Sequence, residues 1–253
     1  MGKNKIYFFK IILADRKIEV ECHYRVVYAQ CKNYLADFEK PDFVVRAPMD
    51  EIISKRADIP EMENHDPRIA IRYADEYMEP LVVYQKIADK LIAFDTLLMH
   101  GAVVATECNA YMLTAPSGVG KSTRAKIWLD EYPGSIIVNG DKPLIKVTDT
   151  EILACGTPWC GKEEWNTNIM VPLRAVFLLE RANEEEKTTI EEISIGKAFP
   201  TLLQQTYRPD DPEAMRKTIQ LLKSMEGRVR FYHFHSTPTP EAVRLAYETA
   251  RPR

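Results

Sequence analysis

The sequence lacks the features that mark membrane, secreted and nucleic-acid-binding proteins. Its longest apolar runs, such as residues 175–179, are far too short to span a bilayer, and no cleavage-site pattern follows the Lys-containing start. It has no basic run and its net charge is −3, whereas binding to a nucleic-acid backbone needs a clustered Lys and Arg surface. We therefore expect a cytoplasmic protein whose partners include neither a membrane nor a nucleic acid.

Disulfide and zinc signatures are also missing. The five cysteines are an odd number, and no Cys-x-x-Cys pair occurs among them. This pattern predicts free thiols instead of a disulfide framework or a zinc site. The chain has 253 residues, of which 45% are hydrophobic, and this is enough to build a sizeable core. We expect one soluble globular protein with a small second domain.

The pattern of apolar runs predicts an α/β core in a protein that is α+β overall. Residues 1–75 are expected to form a small N-terminal α+β lobe, and residues 76–253 a larger second domain. Residues 58–72 contain two prolines and several acids and predict a surface connection. Strands are predicted at 6–13, 17–22, 42–46, 97–104, 110–114, 135–138, 144–147, 151–154, 175–179 and 229–234. Helices are predicted at about 79–94, 121–131, 195–206 and 212–224, and from 239 onward.

The most informative segment is residues 115–122 (Ala-Pro-Ser-Gly-Val-Gly-Lys-Ser), directly after the apolar run at 110–114. Its two glycines let the backbone turn so that several N–H groups point at one phosphate, at the N-terminus of a helix that favours anions. The lysine and the hydroxyl that follow are the groups expected on the β- and γ-phosphates and on Mg²⁺. The predicted nucleotide-binding residues are Ser117, Gly118, Val119, Gly120, Lys121, Ser122 and Thr123.

This segment departs from a strict Walker loop at one position, because Ala115 stands where the consensus has glycine. The alternative interpretation is a glycine turn that precedes an ordinary helix. Since Gly-Lys-Ser and a preceding strand occur together, phosphate binding is the favoured hypothesis.

A second candidate site, residues 139–142 (Asn-Gly-Asp-Lys), ends the hydrophobic strand that follows the loop and its helix. Strand ends in an open α/β sheet face the ligand crevice, so Asp141 is placed to hold the Mg²⁺ that bridges nucleotide phosphates, or to take a proton from an attacking hydroxyl. The alternative is a turn aspartate whose side chain caps its own loop.

These two sites carry a resemblance to a known family. A strand that starts His-Gly at residue 100, a turn, and the strand and loop at 110–122 follow one another. This order resembles the catalytic core of the HPr kinase/phosphorylase family, in which a histidine-glycine strand runs into a Gly-x-Ser-Gly-x-Gly-Lys-Ser loop. The resemblance covers roughly residues 97–180, about a third of the chain. It implies a P-loop fold shared with phosphoenolpyruvate carboxykinases for residues 76–253.

The resemblance also implies roles for individual residues. Lys121 and Ser122 match the family's phosphate and metal contacts, and Asp141 matches the second family aspartate, which acts near the acceptor hydroxyl. His100 matches the histidine that tunes proton transfer, although a histidine in a strand is by itself more often a hydrogen-bonded core residue. The predicted catalytic residues are therefore Asp141, His100 and Lys121, and the predicted metal ligands are Ser122 and Asp141.

The sequence departs from the family pattern in two respects, and these limit which of the family's properties the resemblance implies. Gly140 stands where the first family aspartate belongs, so one metal or acid function is missing or comes from elsewhere. Neither the phosphorylase signature nor the C-terminal helices that dock HPr are recognisable, so HPr is not named as the substrate. The chain looks like the stand-alone HPr-kinase-like proteins, with a different serine or hydroxyl compound as acceptor.

The loop at 155–168 is rich in Gly, Trp and charged residues and follows the predicted metal site. One interpretation is a lid or acceptor loop: Trp159 and Trp165 stack on a base or substrate, Lys162 neutralises phosphate charge, and Glu163 or Glu164 completes the metal site. The equally favoured alternative is a loop pinned by two tryptophans that pack on the protein.

The sequence therefore predicts a kinase that transfers the γ-phosphoryl group of ATP, with Mg²⁺, to a hydroxyl of a peptide, protein or small molecule. Two alternatives stay open: a carboxykinase-like enzyme that handles a phosphorylated carboxylic acid, and a nucleotide-binding regulatory module without catalysis. Ala115 and Gly140, both losses relative to the active pattern, make the regulatory module a credible alternative. Acceptor identity, nucleotide preference, the role of the N-terminal lobe and assembly into a homo-oligomer are not determined.

Overall fold

The computed structural model describes residues 6–57, 74–183 and 186–252. The chain forms two compact units, Met1–Lys90 and Leu91–Arg253. The sequence-based division after residue 75 stays a prediction, and the connection predicted at 58–72 lies outside the described residues.

The first unit is built on a three-stranded sheet in the order β1-β2-β3, with β1 and β2 antiparallel and β2 and β3 parallel. Alternate side chains of β1 and β2 are buried, as the period of two in a half-buried strand requires. Its elements are β1 (Tyr7–Leu13), β2 (Arg16–Cys22), α1 (Arg25–Gln30), a 3₁₀ turn (Cys31–Tyr34), β3 (Phe43–Arg46), α2 (Met49–Ala57) and α3 (Asp75–Ile92).

The second unit contains nine strands and four helices among its described residues. The strands are β4 (Thr96–Leu98), β5 (Ala102–Thr106), β6 (Asn109–Thr114), β7 (Ile136–Asn139), β8 (Leu144–Val147), β9 (Ile152–Cys155), β10 (Met170–Arg181), β11 (Thr189–Ile193) and β12 (Arg230–Ser236). The helices are α4 (Lys121–Glu131), α5 (Ile195–Gln204), α6 (Pro212–Lys223) and α7 (Pro240–Ala250).

Strand β10 joins two sheets. Its first residues pair antiparallel with β9, which continues into β8 and β4. The rest of β10 pairs in parallel with β6 on one side and β12 on the other, giving the order β7-β5-β6-β10-β12-β11. The register between β10 and β6 shifts between Leu173 and Ala175, and such an irregularity bends a strand. The protein is therefore a mixed α+β fold with curled sheets, which confirms the predicted overall class.

Helices cover both faces of the larger sheet, and alternate strand residues point into two separate cores. One core contains Val176 and Leu178 of β10 with side chains of α5 and α6. The other contains Phe177 and Leu179 of β10 with α4 and α7, including the fully buried Trp128. The sheet is thus buried on both faces, so a ligand can reach it only where its strands end.

The strand directions bring several strand ends together. Because β6, β10 and β12 are parallel, their carboxyl ends lie at one edge of the sheet, and β5, antiparallel to both β6 and β7, begins at that edge where β7 ends. We call this edge, with His100, residues 115–120, residues 140–142, Arg181 and Ser236, the loop edge. It is the place where open α/β sheets bind ligands.

Most predicted elements of the second unit are confirmed to within a few residues. One predicted strand, 97–104, is interrupted, because β4 ends at Leu98 and β5 begins at Ala102. At the break the His100 N–H donates to the Gln205 carbonyl at 2.7 Å, so the backbone leaves the sheet where the predicted functional histidine lies. Strand β11 and helices α1 and α2 were not predicted.

Candidate functional site

The glycine loop, residues 115–120 between β6 and α4, depends on two left-handed residues. Gly118 has φ 86° and Gly120 has φ 97°, a region that residues with a side chain rarely adopt. A Cβ at Gly118 would meet no atom within 4 Å, so the space next to this glycine is open. Gly120 is the N-cap of α4 and supplies no side-chain cap, which leaves the first N–H groups of the helix for an anion or water.

Lys121 begins α4 and folds back over this loop. Its side chain is mostly buried, and Nζ donates to the Ala115 carbonyl at 2.9 Å and the Pro116 carbonyl at 3.2 Å. Burial lowers the pKa of the Lys121 ammonium, and the negative charge of Asp141 acts in the opposite direction. The lysine and the aspartate singled out from the sequence are therefore within electrostatic reach of each other.

The remaining predicted nucleotide-binding residues differ in their exposure. Ser117, Gly118 and Thr123 are exposed, and Ser122 is half-buried at the start of α4. Val119 packs against the core shared by α4 and α7, so it anchors the loop. Their contacts with a nucleotide stay predictions.

His100 and Asp141 meet at the loop edge. His100 Nε2 lies 3.3 Å from Asp141 Oδ1, and Nδ1 lies 2.7 Å from the Gln205 side-chain oxygen. The backbone is joined as well, because the Gly101 N–H donates to the Asp141 carbonyl at 2.9 Å. A Cβ at Gly101 would lie 2.9 Å from the Leu113 carbonyl oxygen, so glycine lets the chain pass close to β6 at this point. The sequence placed these two residues 41 positions apart, and the fold brings them into contact.

The Asp141 carboxylate is held by the side chains of His100 and Lys142. Lys142 Nζ lies 2.7 Å from Oδ2, opposite the contact with His100. Burial alone would raise the pKa of the Asp141 carboxyl, but the hydrogen bonds and charges of His100 and Lys142 outweigh it and hold the pKa well below its usual range. Asp141 is therefore ionised at neutral pH.

Asn139, and not Asp141, caps the turn at residues 139–142. Its Oδ1 accepts from the N–H groups of Asp141 at 2.9 Å and Lys142 at 2.6 Å. Its Nδ2 donates to Thr157, at 3.0 Å from the carbonyl and 2.9 Å from Oγ1. The turn-capping role considered for Asp141 thus belongs to a buried asparagine, which leaves the carboxylate facing His100 and Lys142.

Gly140 lies against the loop that follows β9. Its N–H donates to the Trp165 carbonyl at 2.9 Å, and a Cβ at this position would lie 3.0 Å from the Cys160 carbonyl oxygen. The chain therefore has little room for an aspartate where the resembled family has one.

We expect Gly140→Asp to lower the free energy of unfolding by about 2 kcal/mol, because the new side chain must displace the Cys160 backbone. Chemical denaturation measures this change. Gly196→Asp is the matched control, since the nearest atom to a Cβ there is 3.8 Å away. Equal stability of the two variants would contradict the close approach at Gly140.

The loop at 156–168 is attached to the outer edge of β7. The Gly156 N–H donates to the Ile169 carbonyl, and the Thr167 N–H donates to the Val138 carbonyl at 3.1 Å. Asn166 and Asn139 form an isolated antiparallel β-bridge. Trp159 is 8% exposed, and Trp165 packs against the core of α4 and α7. Lys162 and Glu163 are exposed. This packing agrees with the interpretation in which the two tryptophans pin the loop to the protein. Contacts of these four residues with a ligand stay predictions.

We expect Gly156→Ala to destabilise the protein by about 3 kcal/mol. A Cβ there would lie 1.9 Å from the Thr167 carbonyl oxygen and 2.9 Å from the Val138 oxygen, so backbone must move. Thermal or denaturant unfolding measures the loss, with Gly196→Ala as control. A Gly156→Ala variant as stable as this control would show that the loop is not held against β7.

Two contributors to the site were missed from the sequence. Lys142 adjoins Asp141, but adjacency does not reveal that its ammonium turns back onto the carboxylate. Arg124 is fully buried on α4, where Ala125 and Trp128 mark the apolar face. An arginine inside a buried helical stripe is unusual, and that signal was present in the sequence.

The described part of the chain has no group of three or more His, Cys, Asp and Glu side chains arranged to hold a metal ion. Its helices include none that is both long enough and apolar enough to cross a membrane.

Comparison with known proteins does not assign this chain to a family. No family model matches the chain, and no curated protein matches it. Among solved structures, the HPr(Ser) kinase/phosphatase from Coxiella burnetii aligns with 10% sequence identity and a TM-score of 0.30, over 50% of this chain and 88% of that chain. A likeness this distant carries no conclusion about activity.

Proposed function

We propose that this protein is an ATP-dependent kinase with a P-loop core, which transfers the γ-phosphoryl group to a hydroxyl of a serine-type or small-molecule acceptor. The observation that supports the proposal is that the contact between His100 and Asp141 lies at the same sheet edge as the glycine loop that carries Lys121. A phosphate-binding group and an acid–base pair are the two parts that phosphoryl transfer needs side by side.

The glycine loop suits the phosphates of ATP. Its two left-handed glycines, the uncapped N-terminus of α4 and the open space at Gly118 fit a polyphosphate chain. Lys121 Nζ is held by two neutral carbonyls. Phosphate oxygens are stronger acceptors for an ammonium group, because the hydrogen bond is then charged on both sides. Lys121 would stabilise the charge on the transferring group.

Mg²⁺ suits the same place with few protein ligands. Ser122 Oγ and the ionised Asp141 carboxylate are the protein oxygens that would hold the ion, and phosphates and water would supply its remaining ligands. When bound, it neutralises charge on the β- and γ-phosphates. Lys142 competes for the Asp141 carboxylate at 2.7 Å and would have to release one oxygen.

The acceptor is activated by the His100–Asp141 pair. The acceptor oxygen forms a bond to the γ-phosphorus, the bond from that phosphorus to the β–γ bridging oxygen breaks, and ADP leaves. The hydroxyl proton passes to Asp141 directly, or to His100 with Asp141 stabilising the imidazolium. The very low pKa of the Asp141 carboxyl makes it a weak base, which favours the metal-binding and orienting role.

The test is a transfer assay with ATP labelled at the γ-phosphate, Mg²⁺, and a panel of serine, small polyols, peptides and lysate fractions. Label on a hydroxyl acceptor supports the kinase. Label transferred to a carboxylic acid would favour the carboxykinase-like alternative. Tight binding of Mg-ATP without transfer would favour the regulatory module and contradict the proposal.

A further inference from the structure

The loop edge carries a second cationic group on the side away from Asp141. On β10, Phe177 and Leu179 point into the core of α4 and α7. The alternation of side chains places Arg181 on the same face, two residues beyond. On β12, Phe234 points into this core and Ser236 follows it on the same face, paired with Arg181 in register. The two strands therefore end beside the N-terminus of α4.

Arg124 joins that place to the glycine loop. Its side chain is fully buried, with Nη1 donating to the carbonyls of Val119 at 2.9 Å and Gly120 at 3.3 Å. Nε and Nη2 donate to Ser236 Oγ at 3.2 and 3.1 Å, and Nη2 also donates to the Ser236 carbonyl. All these acceptors are neutral, and no carboxylate of a described residue pairs with Arg124. The Val119 and Gly120 carbonyls are thus turned toward β12.

Arg181 adds a second positive charge. Its side chain is exposed, and it forms no hydrogen bond or ion pair with the described residues. Among the described residues, the two acids near it in sequence pair with histidines, Glu180 with His233 at 2.7 Å and Glu186 with His235 at 3.3 Å. Burial lowers the pKa of Arg124 to about 10, and the charge of Arg181 acts in the same direction. Arg181 thus lies in register with Ser236, whose hydroxyl accepts from Arg124. A bound anion would stabilise both positive charges.

We propose that Arg181, backed by the buried Arg124, forms an anion subsite that binds a phosphate group on the β10 side of the glycine loop. A guanidinium matches phosphate geometry with two parallel hydrogen bonds. The phosphate comes either from the nucleotide chain or from a phosphorylated acceptor. The identification of the ligand as a phosphate rests on the proposed function. The placement of Arg124 and Arg181 does not depend on that function.

The test is isothermal titration of the wild-type protein, Arg181→Gln and Arg216→Gln. Arg216 is an exposed arginine on α6, so its variant is the control for loss of one surface charge. One arm titrates Mg-ADP, and the other titrates inorganic phosphate into protein saturated with Mg-ADP. Loss of one charged hydrogen bond should weaken binding about tenfold.

Each outcome is decisive. Weaker Mg-ADP binding by Arg181→Gln, with Arg216→Gln unchanged, supports the subsite and identifies the nucleotide as the source of the phosphate. Unchanged Mg-ADP binding with weaker phosphate binding supports the subsite and places its phosphate beyond ADP. Weaker binding of the Mg²⁺ complex of a non-hydrolysable ATP analogue by Arg181→Gln then identifies the γ-phosphate as the source, and unchanged binding of that analogue identifies the acceptor. Wild-type affinity of Arg181→Gln in both arms, or an equal loss in Arg216→Gln, overturns it. If the wild-type protein binds no nucleotide, the proposed function fails, and phosphate titrated alone into the same variants still tests the subsite.

Discussion

Lys121→Met is expected to lower γ-phosphoryl transfer on the order of a thousandfold, because removing one preorganised donor to the transferring charge has effects of that size. Methionine keeps the aliphatic stem of this mostly buried side chain but removes the ammonium that lies on the Ala115 and Pro116 carbonyls. The assay is the initial rate of label transfer from γ-labelled ATP. Denaturant unfolding of the variant checks that the fold is kept.

Lys126→Met is the matched control for this experiment. Lys126 is on the same helix, but its side chain is 65% exposed and pairs with Asp130 at 3.2 Å. Its replacement should leave transfer within about twofold, since an exposed ion pair contributes little. If both variants kept full transfer, Lys121 would have no catalytic role and the glycine loop would be a structural turn.

Asp141→Asn is expected to lower transfer by a factor of about a thousand, the size associated with loss of a positioned acid–base group. Asparagine has nearly the same shape and keeps the turn that Asn139 caps through backbone N–H groups. It removes the negative charge that faces His100 and Lys142. Initial transfer rates measure the loss, and ATP titrations with and without Mg²⁺ locate its cause.

The two roles open to Asp141 predict different titrations. A metal ligand should leave binding of free ATP unchanged and weaken the binding of Mg-ATP, whereas a proton acceptor should leave both unchanged. Asp149→Asn, at an exposed turn after β8, is the control and should behave as wild type. Transfer at the wild-type rate by Asp141→Asn would show that neither role is correct.

The parts of the site that follow one another in the sequence could be predicted. The glycine loop is a local feature, in which a strand, two glycines and a helix start fix their own geometry. Asp141 was found because a hydrophobic strand precedes it and strand ends face the crevice. His100 was picked out through resemblance alone, and its contact with Asp141 depends on β5 lying between β6 and β7.

The features that sequence patterns missed depend on partners far along the chain. No acid in the described part of the chain pairs with Arg124, and its role follows from its contact with Ser236, 112 positions away. The reason for glycine at 140 is the Cys160 carbonyl, which packing brings to 3.0 Å from a Cβ there. The curled sheet follows from one strand that changes partners along its length, a choice that apolar patterns do not encode.

Strand β10 has a consequence for how the second unit unfolds. Its twelve residues are hydrogen-bonded to β9 at one end and to β6 and β12 at the other. Neither sheet can unfold without disrupting β10, which is also hydrogen-bonded to the other sheet. Partial unfolding of one sheet alone would therefore have a high free-energy cost. The residues of the loop edge therefore gain their rigidity from the cooperativity of the whole unit, including strands that never approach them.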